Sequence, residues 1–341
     1  MDEPTALLAA TDRQRLLDLA RRLADSGVAV ALTTHRLDDL FAGCDTVTVL
    51  RDGRHVLTDP VSQHTPHSLA RHLTGAPTPC PGPPPAPVSA HAPLALSVGG
   101  LRLPGAPGTI DLQIRAGEIV GLAGLRGSGR TRLLRALFGA DCCRAGTIQA
   151  FGRTVRPGSP HHAIRAGLAL VPHSRAEEGL VAARTVRENL ALPSLGARQR
   201  AGLLRLRAER AATLAAAHTV ALTGATCDSP LWTLSGGNQQ KTVFGKWLLR
   251  APAILLVDEP TRGVDLAARS RIHTLLTDLA GQGTAILIAS LDPDELLALA
   301  HRVLVMKEGR ITAAVSTAAT DRAHLDTLLY ADEPPHEATP W

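Results

Sequence analysis

Residues Ile119-Val120-Gly121-Leu122-Ala123 form a short apolar run. It passes directly into Gly124-Leu125-Arg126-Gly127-Ser128-Gly129-Arg130-Thr131 and then into an amphipathic stretch, Arg132–Phe138. A strand, a glycine-rich loop and a helix in that order leave few folds open. The glycines let successive backbone N–H groups turn inward, and the helix start adds the positive end of its dipole, so the loop is shaped to cradle phosphate oxygens. Gly124, Gly127, Ser128, Gly129, Arg130 and Thr131 are therefore the first candidate ligand residues. Thr131 stands where a hydroxyl would hold Mg²⁺. Arg130 stands where Lys is expected; it keeps the charge, but its planar guanidinium cannot copy an ammonium point charge. By itself the segment also reads as a generic glycine turn.

Two further motifs bear on that choice. Ile254-Leu255-Leu256-Val257 is a buried-strand pattern ending in Asp258-Glu259. Its acids sit at the carboxyl end of the strand, the usual ligand side of an α/β sheet. Asp258 would hold Mg²⁺ through water and Glu259 would polarise an attacking water; a helix N-cap is the alternative. Between the two motifs, Leu234-Ser235-Gly236-Gly237-Asn238-Gln239-Gln240-Lys241 opens a helix expected over Gln240–Leu249. Ser235, Gly236 and Gly237 offer a hydroxyl, backbone N–H groups and a helix dipole, which together make a second anion site. A tight turn is the plainer reading.

A proline-rich run from Ala76 to Pro87 divides the chain, because it cannot hold helix or sheet hydrogen bonding. The expected parts are residues 1–75, a linker over 76–93, a domain over 94–330 and an unstructured tail over 331–341. The first part repeats the end of the third. Asp2-Glu3-Pro4-Thr5 returns as Asp258-Glu259-Pro260-Thr261, and Asp52-Gly53-Arg54 as Glu308-Gly309-Arg310, both at an offset of 256 (258 − 2; 310 − 54). Between these anchors both copies predict a helix (Asp12–Ala24; Ala267–Ala280), a glycine turn, an apolar strand (Val28–Leu32; Ala285–Ile288), an acidic helix start and a second strand (Val47–Leu50; Val303–Met306). Alternating strands and helices imply a largely parallel α/β sheet.

The 341 residues are 45% hydrophobic and 20% charged, an ordinary globular balance, while aromatics are only 2%, so the core must come from Ala, Val, Leu and Ile. No apolar run reaches the roughly 18 residues of a membrane span. Met1-Asp2-Glu3 opens the chain with no basic-then-apolar secretion signal. The net charge of +5 comes almost wholly from Arg, with Lys only at 241, 246 and 307, and no Arg stripe alternates with aromatics. Nucleic acid is disfavoured as a partner. None of the five cysteines forms a C-x-x-C pair, which argues for reduced thiols rather than a zinc site or a disulfide framework.

A phosphate loop, then Leu-Ser-Gly-Gly, then a strand ending in Asp-Glu is the pattern of ABC ATPases. The chain resembles the ATP-binding subunits of monosaccharide importers of the ribose, galactose and xylose type. Three stretches carry the likeness: Leu234–Lys241, Asp258-Glu-Pro-Thr-Arg-Gly-Val-Asp265, and Leu170-Val-Pro-His-Ser-Arg175 followed by Glu178-Gly-Leu180. Thr185-Val-Arg-Glu-Asn189-Leu fits the helical segment that follows.

The resemblance implies an ABC ATPase fold: a mostly parallel sheet, an antiparallel β subdomain and a helical subdomain over about 184–250, preceded by a partial second copy. It implies ATP and Mg²⁺ as cofactors, with Ser235, Gly236, Gly237 and Gln239 closing over ATP held by another P-loop. Asp265 falls in the loop that couples the two ATP sites. The implied setting is peripheral, on the cytoplasmic face of the cell membrane. The implied partners are transmembrane permease subunits, paired ABC domains and, indirectly, a periplasmic or extracellular sugar-binding protein. In the first copy Thr34-His35-Arg36-Leu37 matches the family's Ser-His-Arg-Leu, so His35 and Glu3 are expected catalytic residues and Asp2 a metal ligand.

Several residues depart from the family pattern. His35 corresponds to Leu291 at the offset of 256, His173 replaces the residue that senses Mg²⁺ and the permease, and no aromatic near Leu96–Leu101 is placed to stack on adenine. The site built on residues 124–131 is therefore expected to bind ATP but hydrolyse it poorly. Met1 occupies the last apolar place before Asp2-Glu3, which reads as a start assigned too late or a broken gene. Two functions follow: an importer ATPase, or a truncated, hydrolysis-deficient nucleotide-binding protein.

Overall fold

The computed structural model describes residues 1–2, 4–5, 10–34, 36–51, 53–74, 88–89, 91–200, 203–222 and 226–331. Glu3, His35, the proline-rich run through residue 87 and the tail from 332 on lie outside them. Two compact units result: Met1–Cys80 with Asp265–Arg271, and Pro81–Val264 with Ile272–Trp341.

The first unit holds α1 (Ala10–Asp25), α2 (Leu37–Gly43), β1 (Thr46–Arg51), β2 (Arg54–Pro60) and α3 (Pro66–Thr74). β1 and β2 form an antiparallel hairpin. Val47, Val49, Val61 and Leu69 are its buried core, closed by Leu37, Leu40, Phe41 and Val56.

The rest of the chain runs β3 (Leu94–Arg102), β4 (Ile110–Arg115), β5 (Ile119–Ala123), α4 (Arg130–Phe138), β6 (Ala145–Ala150), β7 (Arg153–Thr154), α5 (Pro160–Arg165) and β8 (Leu168–Val171). It continues with α6 (Val186–Ala191), β9 (Gln199–Arg200), β10 (Leu203–Leu204), α7 (Leu206–Thr219), α8 (Gly236–Leu248) and β11 (Ile254–Asp258). α9 (Leu266–Gly281), β12 (Ala285–Ala289), α10 (Pro293–Leu299), β13 (Arg302–Lys307), β14 (Arg310–Ser316) and α11 (Arg322–Tyr330) complete it.

Six of these strands form one sheet in the order β14-β13-β5-β12-β11-β8. β14 is antiparallel to β13, and the other neighbours are parallel. β5, β11 and β12 are buried at every position, as parallel strands covered on both faces must be. A separate antiparallel sheet has the order β4-β3-β6-β7. There β4 alternates buried and exposed residues, the mark of a sheet with one wet face. The fold is thus α/β with a mostly parallel sheet, an antiparallel β part and a helical part in which α6, α7 and α8 pack together.

Trp247 ties the helical part to the sheet. Its Nε1–H donates to Leu170 O at 2.6 Å, and its ring meets Phe138 of α4 edge-on at 5.8 Å. No helix of the described residues is long and apolar enough to cross a membrane.

The internal repeat holds element by element. α1, α2, β1, β2 and α3 have counterparts in α9, α10, β13, β14 and α11, and each begins and ends 256 positions later (266 − 10; 330 − 74). Even the strand irregularity recurs, between Val49 and Leu50 in β1 and between Val305 and Met306 in β13. So does a buried acid: Asp39 accepts from Thr5 at 2.5 Å, and Glu295 accepts from Thr261 at 2.7 Å.

One expected element differs. Val28–Leu32 is not a strand; just after it Thr33 makes an isolated parallel bridge with Asp2, and Ala31 O accepts from the Met1 amine at 2.8 Å. Its counterpart β12 is held by β11 on one side and β5 on the other. The first unit offers no second neighbour among the described residues, and an apolar run without a partner on each side does not become a central strand.

Candidate nucleotide site

Four neighbouring parallel strands, β5, β12, β11 and β8, end on one edge of the large sheet, and their following loops make a cleft. The loop after β5 is forced into shape by glycine. A Cβ at Gly124 would stand 2.5 Å from Ser128 Oγ and 2.6 Å from Met306 O, and Gly129 caps α4 at φ +101°. The turn joining β13 and β14 braces the loop from behind, Gly309 N donating to Ser128 O at 2.7 Å. The cavity over this loop measures about 320 Å³, within the usual range of ligand pockets. Residues 125–132 line it, with His173, Glu259, Arg262 and Leu291.

Arg130 reaches across to Glu259, Nη1 to Oε1 at 3.2 Å, with both side chains about nine-tenths buried. Glu259 has φ +50°, rare for a residue with a side chain. Its N–H still donates to Ala289 O at 2.9 Å, so the backbone keeps its ladder bond while the carboxylate turns into the cleft. Burial pushes the Glu259 carboxyl up to about 7, more strongly than Arg130 holds it down. Asp258 is also raised by burial, against a hydrogen bond from Thr131 and the nearby arginines.

His173 Nε2 faces Arg262 Nη1 in a hydrogen bond. A guanidinium can only donate, so Nε2 accepts and the ring hydrogen sits on Nδ1. Nδ1 is buried, lies 3.9 Å from Asp258 Oδ1 and has no hydrogen-bond partner.

Phosphate fits this cavity. Ser128 Oγ, Arg130 Nε and His173 Nδ1 are three of the four partnerless buried side-chain polar atoms among the described residues, and all three belong to residues lining it. Buried polar groups without partners are rare enough to demand a ligand or water. The lining carries Arg126, Arg130, Arg132 and Arg262 against the one carboxylate of Glu259.

Ser235, Gly236, Gly237 and Gln239 do not line the cavity. Ser235 is the N-cap of α8, its hydroxyl accepting from Asn238 N at 3.5 Å, so the helix starts four residues earlier than the expected Gln240. Gln239 Nε2 donates to Leu234 O at 3.2 Å. Arg175 lies over this helix start, where a Cβ on Gly236 would come within 2.6 Å of its Nη2. The guanidinium is held by the carbonyl oxygen of Arg262 at 3.0 Å.

Asp265 accepts from Ala268 N at 2.8 Å, capping α9. Asp2 accepts from the Thr33 hydroxyl. Glu3 and His35 lie outside the described residues. The cavity's contact between Arg262 and His173 is one that sequence reasoning misses, because it joins residues 89 positions apart. The only signal is that both lie in segments that carry the family likeness.

The comparisons bear on this geometry directly. Residues 108–262 match the family model described as ABC transporter. Solved ATP-binding cassettes share the fold. A nucleotide-free cassette from an ABC transporter aligns with TM-score 0.58 at 19% identity, covering 70% of this chain and 100% of that one. A dimeric cassette in a post-hydrolysis state bound to ADP and Pi gives 0.57 at 20% identity, covering 65% and 98%. The parallel sheet with its flanking antiparallel and helical parts is the fold of an ATP-binding cassette, and residues 108–262 belong to the ABC transporter family.

Within the class it is a homologue of the ribose import ATP-binding proteins. It is 42% identical to RbsA 2 of Streptomyces avermitilis, covering 95% of this chain and 66% of that protein. It is 42% identical to RbsA 1 of Streptomyces coelicolor, covering 94% and 63%, and 39% identical to RbsA of Rhodococcus jostii, covering 94% and 63%. The chain spans less than two thirds of the length of these relatives.

Proposed function

We propose that the chain is the ATP-binding part of an energising subunit for a monosaccharide importer, peripheral on the cytoplasmic face of the membrane and docked on transmembrane permease subunits. The observation that carries the nucleotide reading is the convergence of Ser128 Oγ, Arg130 Nε and His173 Nδ1 on one cavity at the start of α4. The sugar reading rests on the names of the relatives. A periplasmic or extracellular sugar-binding protein is an indirect partner, and nucleic acid is not one.

In this reading residues 94–330 are the second of two ABC domains and residues 1–75 the end of the first; the gapless repeat supports it. Ser235, Gly236, Gly237 and Gln239 serve a paired domain's ATP, and Asp265 couples the two sites. Glu3 and His35 would act at the composite site with Asp2 holding Mg²⁺. At the 124–131 loop, ATP is held by backbone N–H groups and Ser128. Thr131 and Asp258 are the expected holders of Mg²⁺, directly or through water, but His173 turns an N–H to the side of Asp258, 3.9 Å away, and the cation does not fit there. Glu259, the base in this class, is engaged by Arg130, and burial lifts its carboxyl to about 7, so that only part of it is ionised near neutral pH; this loop retains ATP and turns it over slowly. The comparisons lend no support to a hydrolysis-deficient remnant without a transport role.

The test is equilibrium dialysis of ATP against the full chain, followed by reconstitution with a permease encoded beside it. Saturable binding lost in Ser128→Arg, with sugar uptake dependent on the chain, is expected. Absence of ATP binding by a folded chain sinks the reading.

A further inference from the structure

The partnerless polar atoms of the cavity have a direction as well as a place. Arg130 Nε and His173 Nδ1 both carry hydrogen, and the Ser128 hydroxyl can offer its own. Donors call for an acceptor, and a metal ion is not one. His173 is the clearest case. Its one lone pair, on Nε2, is engaged by Arg262. Its Nδ1–H points to the Asp258 side at 3.9 Å, beyond direct hydrogen-bond reach. A cation between Asp258 and His173 would meet that hydrogen rather than electrons.

The charges point the same way. Arg262 lines the cavity and its guanidinium bonds His173; among the described residues it has no carboxylate within ion-pair distance. Arg130 is paired with Glu259, the one carboxylate lining the cavity among the described residues. The cavity is thus already cationic before any metal arrives, and a divalent cation would be repelled by groups that can neutralise phosphate themselves.

We propose that the 124–131 loop takes the polyphosphate of a nucleotide without a divalent cation, the His173 Nδ1–H and the Arg262 guanidinium standing where the metal stands in other sites of this class. The proposal rests on the nucleotide reading of the same cavity. It makes a site of unusual economy: a nucleotide held there keeps its grip when magnesium is scarce. The same donors explain a small departure in the sequence, since an acceptor at position 173 would have left Arg262 paired and the metal side open.

The experiment measures ATP affinity of the full chain by equilibrium dialysis in excess EDTA and in excess Mg²⁺. In parallel, Mn²⁺ is added with ATP and followed by electron paramagnetic resonance. Wild type is expected to bind ATP within about twofold in the two buffers, and the Mn²⁺ spectrum to be that of Mn²⁺–ATP free in solution. His173→Glu, which puts an acceptor in place of the N–H, is expected to bind at least about tenfold more weakly in EDTA than in Mg²⁺. Loss of wild-type binding in EDTA overturns the proposal. So does protein-bound Mn²⁺ with nitrogen coupling that vanishes in His173→Gln, because the imidazole would then be a ligand. A chain folded by circular dichroism that binds ATP in neither buffer removes the nucleotide reading itself, and the proposal with it.

Discussion

Arg130 and Glu259 meet across the cleft at 3.2 Å, yet the pair does not keep Glu259 ionised at low pH. Its carboxyl rises from an ordinary 4.5 to about 7 because burial outweighs the guanidinium. Between those two values the folded chain holds a proton that the unfolded chain has released. This group's contribution to stability is therefore full below pH 4.5 and is lost as pH rises toward 7, a decline on the order of 3 kcal/mol. Urea unfolding of wild type and Glu259→Gln across that range should show the slope in wild type and a flatter profile in the variant. Gly124→Ala tests the loop. Its Cβ would press on Ser128 Oγ and Met306 O, so a loss of about 1–3 kcal/mol is expected, with weakened ATP binding by dialysis.

At the scale of elements, Trp247 is the joint between α8 and the strand that leads to His173. Trp247→Phe keeps the ring contact with Phe138 but leaves the buried Leu170 carbonyl without its donor, and should cost about 1–3 kcal/mol by urea denaturation. Elements with strong local signals are legible in the sequence. β5 runs Ile119–Ala123 as its apolar run and flanking glycines imply, and the acids of β11 stand at its carboxyl end. Helix ends are less legible. α8 begins at Gly236 because the Ser235 hydroxyl caps it, although glycines there look like loop. The strand expected over Val28–Leu32 fails for a non-local reason, since strands need neighbours that their own residues do not encode. The chemistry at His173 is half legible. The substitution is plain, but the Arg262 contact that sets which nitrogen carries hydrogen joins two distant loops.

Across the whole molecule, protection should follow pairing. β5, β11 and β12 are hydrogen-bonded on both sides, whereas β1 pairs with β2 alone among the described residues. Hydrogen exchange with mass spectrometry should find the amides of β5, β11 and β12 slowest and those of β1 and β2 many times faster. Equal protection would mean that the first unit is stabilised by partners outside the described residues.

The gapless repeat has a use beyond ancestry. Surface turns usually drift in length between duplicated segments, but Gly53 and Gly309 still mark the same place in the same hairpin. Every substitution within α1, α2, β1, β2 or α3 thus has a twin site 256 positions on, in the same kind of element. The molecule carries its own control experiment: Asp39→Asn and Glu295→Gln neutralise the same buried acid in two surroundings, and any difference between them measures what the surroundings contribute.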